Sequence, residues 1–292
     1  MSKEPLFAFF GTPHFAVVVL DALEAQGLLP ALVITAPDKP AGRGQKLTAS
    51  PAKQWAESRG IDVVTPATLK DEVFVAELAN TEWDVFAVAA YGKIIPKSIL
   101  DIPRKSSLNV HPSLLPKFRG PSPALSAILA NERTTGVTIM EVVEKMDAGP
   151  IVAQARVEIA EEDWPPKGSM LEDMLAQEGG TLLAEVMPEW VAGTITPEPQ
   201  DESLVTYTRK FIDEDALVNL EGDPHKELLK IKAFDKNPRA YFLDNGPGRA
   251  GKRVIITEAE VKEGVLEILK VIPEGKKEMS YQDFVRSVTK EV

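Results

Sequence analysis

The sequence predicts an α/β fold, a mostly parallel sheet with helices on both faces, followed by a small β-rich module. Three observations carry this. Strand-like apolar runs at residues 6–10, 31–36, 62–64 and 84–90 alternate with segments of helical period, the rhythm of parallel strands joined by crossover helices. Within the run at 84–90, every residue after Asp84 is apolar, the composition of a strand covered on both faces. From Val205 the chain changes to short strand-like segments broken by turns.

In chain order, the first strand ends in Gly11-Thr12-Pro13, and Phe15, Val18, Val19 and Leu23 then recur at helical spacing up to Gly27. Gly11-Thr12-Pro13 lacks the G-x-G-x-x-G spacing of a dinucleotide fingerprint. Residues 37–46 form a polar loop with Gly42, Gly44 and the cations Lys39, Arg43 and Lys46, expected to be exposed and mobile. Residues 50–58 and 70–79 read as helices, and the strand at 84–90 finishes in Tyr91-Gly92-Lys93. Residues 121–130 read as a helix, 138–143 and 151–159 as strands, and 169–190 as a long helix with breaks. Residues 193–200, rich in Thr and Pro, read as an extended linker. A boundary is therefore expected near 204, dividing 1–204 (linker about 193–204) from 205–292. In the second part 227–233 and 281–288 read as helices, the latter capped by Ser280, and 240–243, 252–256 and 265–271 as strands.

The 292 residues, 44% hydrophobic and 26% charged, suit a soluble globular protein with a substantial core. The absence of cysteine removes disulfides, thiolate metal sites and a cysteine nucleophile, and His14, His111 and His225 are too few for a histidine metal cluster, so no metal is expected. No apolar run reaches the ~20 residues of a membrane span, and a cytoplasmic location is expected. The net charge is -11, yet residues 205–292 hold 16 Lys and Arg against 16 Asp and Glu, so the acidic excess lies wholly before 205. The tail is less repulsive to phosphate than the body.

The chemistry concentrates in residues 106–123. In Ser107-Leu108-Asn109-Val110-His111, Leu108 and Val110 would point to one face of a strand and Asn109 and His111 to the other. Pro112 and Pro116 end the strand. A carboxamide and an imidazole together suit a carbonyl that becomes an oxyanion while a proton moves nearby, although a lone Asn-X-His at a strand end is more often a satisfied turn pair. Asp147, in Lys145-Met146-Asp147-Ala148-Gly149-Pro150, is either a turn aspartate or a carboxylate that orients the imidazole. His14 and His225 read as surface or capping residues.

Asn109-Val110-His111-Pro112-Ser113-Leu114-Leu115-Pro116, with Arg119-Gly120 and Asp147-Ala148-Gly149-Pro150 downstream, resembles the formyltetrahydrofolate-dependent formyltransferase family. Gly11-Thr12-Pro13-His14-Phe15-Ala16 and the loop from Lys39 to Leu47 resemble the members whose acceptor is initiator methionyl-tRNA. The close resemblance covers roughly residues 6–200. It implies a Rossmann-like catalytic domain and an OB-like β-barrel that helps hold tRNA, here reduced because residues 251–271 are short for the usual strands. It implies catalytic roles for Asn109, His111 and Asp147, and a family motif linked to folate at Ser113, Leu114, Leu115 and Pro116. A pocket for 10-formyltetrahydrofolate is implied at Ala89, Ala90, Tyr91, Gly92, Ile94, Val142 and Met146. The acceptor-stem loop falls on Arg43 and Lys46. In the tail, Arg239, Lys252 and Arg253 are expected to meet tRNA phosphates, and a monomer with no membrane partner is expected. A formyltransferase acting on a sugar amine or another small amine, and a non-catalytic folate- or tRNA-binding protein, are the alternatives.

Overall fold

The computed structural model describes residues 4–41, 45–244, 246 and 251–289. Its contacts divide the chain into two compact units. The first comprises residues 1–120, 134–158 and 172–207, and the second 121–133, 159–171 and 208–292, over the described parts of these ranges.

The first unit contains strands β1 (Phe7–Gly11), β2 (Leu32–Ile34), β3 (Lys39–Ala41), β4 (Lys46–Thr48), β5 (Asp62–Val64), β6 (Val85–Ala89), β7 (Leu108–His111), β8 (Thr135–Glu141) and β9 (Ile151–Val157). Helices α1 (His14–Ala25), α2 (Pro51–Glu57), α3 (Glu72–Ala79) and α4 (Lys97–Leu100) belong to it as well. Seven strands form one sheet in the order β5-β2-β1-β6-β7-β8-β9. The first five are parallel, and β8 and β9 run antiparallel to their neighbours. The expected Rossmann-like sheet, mostly parallel, is therefore present.

Strand alternation sorts the core between the two faces. Phe7, Phe9, Ala87, Leu108 and Val110 pack against α1 and α2, while Ala8, Phe10, Phe86 and Val88 pack with Leu78 of α3 and Ile99 of α4. Each fully buried side chain such as Phe9 or Leu108 contributes about 1.5–3 kcal/mol. The helix starts carry the caps their sequences encode: Ser50 accepts from the Lys53 N–H, and Asp71 from Val73 and Phe74.

Two elements differ from the sequence expectation. The polar loop at 37–46 contains a short antiparallel ladder, β3 against β4, with Pro40 opposite Leu47. The long helix is continuous, α6 (Gly168–Ala192), with Pro188 inside it. Its Gly179-Gly180 pair creates close approach rather than a break. A Cβ on Gly180 would lie 2.6 Å from that of Ala22 in α1, and one on Gly179 would collide with Val110 in β7.

The second unit holds α5 (Pro123–Leu129), α7 (Pro224–Ala233), α8 (Tyr281–Thr289) and strands β10 (Tyr241–Asp244), β11 (Lys252–Lys262), β12 (Val265–Pro273) and β13 (Met279–Ser280). The strands form a four-stranded antiparallel sheet, β10-β11-β12-β13, which is the small β module the sequence predicts. Its core gathers Leu125 of α5, Ile231 and Phe234, Phe242, Val254, Ile256, Val271 and Phe284. The segment directly after Arg119-Gly120 thus packs into this unit.

Candidate active site

Asn109 stands beside Val88 in the parallel pair β6–β7, and His111 opposite Thr138 in the antiparallel pair β7–β8. Leu108 and Val110 point into the core under α1 and α6, which leaves Asn109 and His111 on the other face, near the carboxyl end of the strand. Open α/β sheets hold their ligands at this end. Asn109 is half-buried, and its carboxamide makes no side-chain hydrogen bond to any described residue.

His111 is only 4% exposed. Its Nε2 lies 3.1 Å from the carbonyl oxygen of Phe118. A carbonyl can only accept, so Nε2 carries the hydrogen and Nδ1 keeps its lone pair. Nδ1 lies 3.8 Å from Oδ1 of Asp147. Burial pushes the imidazole below its ordinary pKa of 6.5, and the Asp147 charge and the Phe118 carbonyl oppose that shift. His111 is therefore a neutral base at neutral pH, facing a carboxylate that would stabilise its cation.

Asp147 sits in a left-handed backbone conformation, φ 50°. Its Oδ2 accepts the Gly120 N–H at 2.7 Å, which aims Oδ1 at the histidine. Gly149 closes the loop where a Cβ would run into the Glu141 carbonyl. Gln200, in the segment expected to be a linker, donates to the carbonyls of Asp147 (2.9 Å) and Gly149 (2.7 Å). Glu198 in the same segment exchanges backbone hydrogen bonds with Ile151. Neither Gln200 nor its role was legible from spacing. The Pro-rich composition around it masks one polar residue that turns inward.

The turn after β7 is pinned by β8 and β9. Thr138 Oγ1 donates to the Ser113 carbonyl (2.7 Å) and accepts from the Leu115 N–H (3.0 Å) and from Gln154 (2.8 Å), which also donates to the Leu115 carbonyl. Ser113 and Leu115 are buried, Leu114 and Pro116 half-buried, and the Leu115–Pro116 peptide is cis.

The residues expected to line a folate pocket fall at the ends of β6 and β8. Ala89 and Tyr91 are buried, and Ala90 and Gly92 take left-handed backbone conformations. Val142 packs on the cluster that contains Val88, Tyr91 and Ile95, which brings the two segments together. The Tyr91 hydroxyl is buried with no hydrogen-bond partner among the described residues, and desolvation pushes its pKa up to about 12. Ile94 is 89% exposed and Met146 63%.

Of the residues expected to meet tRNA, Arg43 lies outside the described residues, and Lys46 is exposed on β4. In the second unit Lys252 is exposed and Arg239 half-buried. Arg253 stacks on Tyr241, 3.7 Å from the ring centre, and pairs with Asp213 at 2.8 Å. His14 pairs with Asp173 at the surface, 3.2 Å apart, and His225 lies in the first turn of α7. Among the described residues no group of acidic or histidine side chains is placed to hold a metal, and no helix is long and apolar enough to cross a membrane.

A parallel sheet that presents a buried neutral imidazole, an open carboxamide and a fixed carboxylate at its strand ends has the parts of an acyl- or one-carbon-transferring enzyme. Residues 5–187 match the model of the formyl transferase family, and the chain belongs to that family. It is 38% identical to the methionyl-tRNA formyltransferase of Methylococcus capsulatus, over 96% of each chain. Among solved structures it resembles a sugar N-formyltransferase from Shewanella (TM-score 0.63, 21% identity, 89% of this chain and all of that one). It also resembles the methionyl-tRNA formyltransferase of Clostridium thermocellum (TM-score 0.60, 16% identity, 92% of this chain and 98% of that one).

Proposed function

We propose that the protein transfers the formyl group of 10-formyltetrahydrofolate to the α-amino group of methionyl initiator tRNA, giving N-formylmethionyl-tRNA for translation initiation. The observation that carries the mechanism is the contact between His111 Nδ1 and Asp147 Oδ1 at 3.8 Å, in a site where the imidazole is held neutral. The amine of the acceptor attacks the formyl carbon. The Asn109 amide donates to the oxygen that gains charge, an interaction of a kind worth about 3 kcal/mol of barrier. His111 takes the amine proton at Nδ1, Asp147 stabilises the resulting cation, and the proton passes on to N10 of the folate as the C–N10 bond breaks. The full-length similarity to a methionyl-tRNA formyltransferase supports the choice of acceptor.

The donor would lie along Ala89, Ala90, Tyr91, Gly92, Ile94, Val142 and Met146. The exposed Ile94 and Met146 side chains support a ligand with an apolar ring there. Acceptor RNA would be met by Arg43 and Lys46 and, from the second unit, by Lys252 and Arg239. The same reading has it act as a monomer in the cytoplasm. The test supplies formyltetrahydrofolate with methionyl-tRNA, free methionine or an amino sugar nucleotide and follows product mass. Formylation of the tRNA ester alone is the expected result, and preferred formylation of the sugar amine would replace this acceptor.

A further inference from the structure

We propose that Gln200 is a positioning residue for Asp147, and that with Arg119 it forms a clamp on which the reaction depends. The inference rests on the role given above to Asp147. Arg119 has 0% exposure, a rare state for a guanidinium. Its Nε donates to Gln200 Oε1 at 3.0 Å, and its terminal nitrogen pairs with Glu202 at 2.9 Å. With its oxygen thus engaged, the Gln200 amide is oriented to give both hydrogens to the carbonyls of Asp147 and Gly149. The next residue after Arg119 is Gly120, whose N–H holds Asp147 Oδ2.

A closed ring results. The backbone joins Arg119 to Gly120, Gly120 grips the Asp147 side chain, Gln200 grips the Asp147 backbone, and Arg119 grips Gln200. This ring fixes a residue whose left-handed conformation is unfavourable for a side chain bearing a Cβ. Without the two Gln200 donations the loop can relax, and Asp147 Oδ1 swings away from His111. Asp147 would keep its charge but lose its aim. A misplacement on the order of 1 Å is enough to cost about 100-fold in rate.

The test compares Gln200→Leu and Gln200→Glu with Asp147→Asn and with the Gln200/Asp147 double variants, in the full chain. Gln200→Glu is close in shape and still accepts from Arg119, and a thermal melt verifies the fold of each variant. The chain holds three histidines, so the His111 imidazole can be followed by NMR against only two others. The expected result is a fall in kcat of about 100-fold with KM for formyltetrahydrofolate little changed. In Gln200→Leu the His111 titration should move to lower pH as the nearby charge recedes, and either Gln200 change should cost almost nothing further on the Asp147→Asn background. An unchanged kcat with an unchanged His111 titration overturns the proposal. So does an equal rate loss on both backgrounds, which marks a merely structural residue. Wild-type kcat in Asp147→Asn alone would instead sink the catalytic assignment on which the proposal rests.

Discussion

His111 Nδ1 faces Asp147 Oδ1 across 3.8 Å, a spacing that lets the carboxylate stabilise a proton on the imidazole without first drawing one there. Burial is the largest influence on this histidine and keeps it neutral, while the opposing charge of Asp147 favours its cation.

The pH dependence follows from that balance. The acid limb of kcat/KM should lie below the ordinary 6.5 of histidine, because only neutral His111 can accept the amine proton. In Asp147→Asn the residual activity should show a limb at still lower pH, since the charge that raised the pKa is gone. Stability carries the same sign. The folded pKa lies below the unfolded one, so the unfolded chain binds the proton first as pH falls. The His111 contribution is complete above about pH 6.5 and is lost as pH drops toward and through the folded value. Wild type should therefore lose more Tm between pH 7.5 and 5.5 than His111→Gln, and equal losses would contradict the assignment.

Gly179→Ala should lower both stability and kcat. Alanine improves helix propensity by about 1 kcal/mol, but overpacking costs about 1–3 kcal/mol. The added methyl would meet Val110 and Val137, both β-branched and stiff, so the steric cost wins. Val110 lies between Asn109 and His111, so the displacement reaches the site. Thermal melts and steady-state rates check this, and a raised Tm with full activity would refute it.

How much of this was readable in the sequence depends on which force fixed each feature. Periodicity fixes the parallel strands and the faces of β7, because burying one face requires alternation, and Asn109 and His111 fell where alternation put them. Strand β11 runs to Lys262, well past the expected residue 256, because its distal half alternates charged with apolar residues and pairs with β12 through a two-residue turn at Glu263-Gly264, both at positive φ. The continuity of α6 was hidden because Gly179 and Gly180 signal a break locally and close packing globally. The Gln200 clamp was hidden for a related reason: its partners lie 81, 53 and 51 residues away in the chain. Likewise, residues past the expected boundary at 204 serve the site, since Thr206 Oγ1 accepts the Phe118 N–H at 2.8 Å and the Phe118 carbonyl holds His111.

The cations of the second unit should separate by experiment. Lys252→Ala should leave Tm unchanged and reduce the log-log salt slope of tRNA affinity by about 0.7 to 0.9, the signature of one lost phosphate contact. Arg253→Ala should lower stability by about 0.5–1 kcal/mol, because its guanidinium stacks on Tyr241 and pairs with Asp213. An unchanged salt slope in Lys252→Ala would remove that residue from the RNA surface.

The central claim is that the Asn109, His111 and Asp147 side chains act on the transferring formyl group. Its most direct test is single-turnover formylation of methionyl-tRNA, at saturating formyltetrahydrofolate, by Asn109→Ala and His111→Gln with the fold of each verified. Each rate should fall by about 100- to 1,000-fold, the usual loss when a transition-state contact is removed, with affinity for both substrates nearly unchanged. Near-wild-type rates in either folded variant would contradict the account.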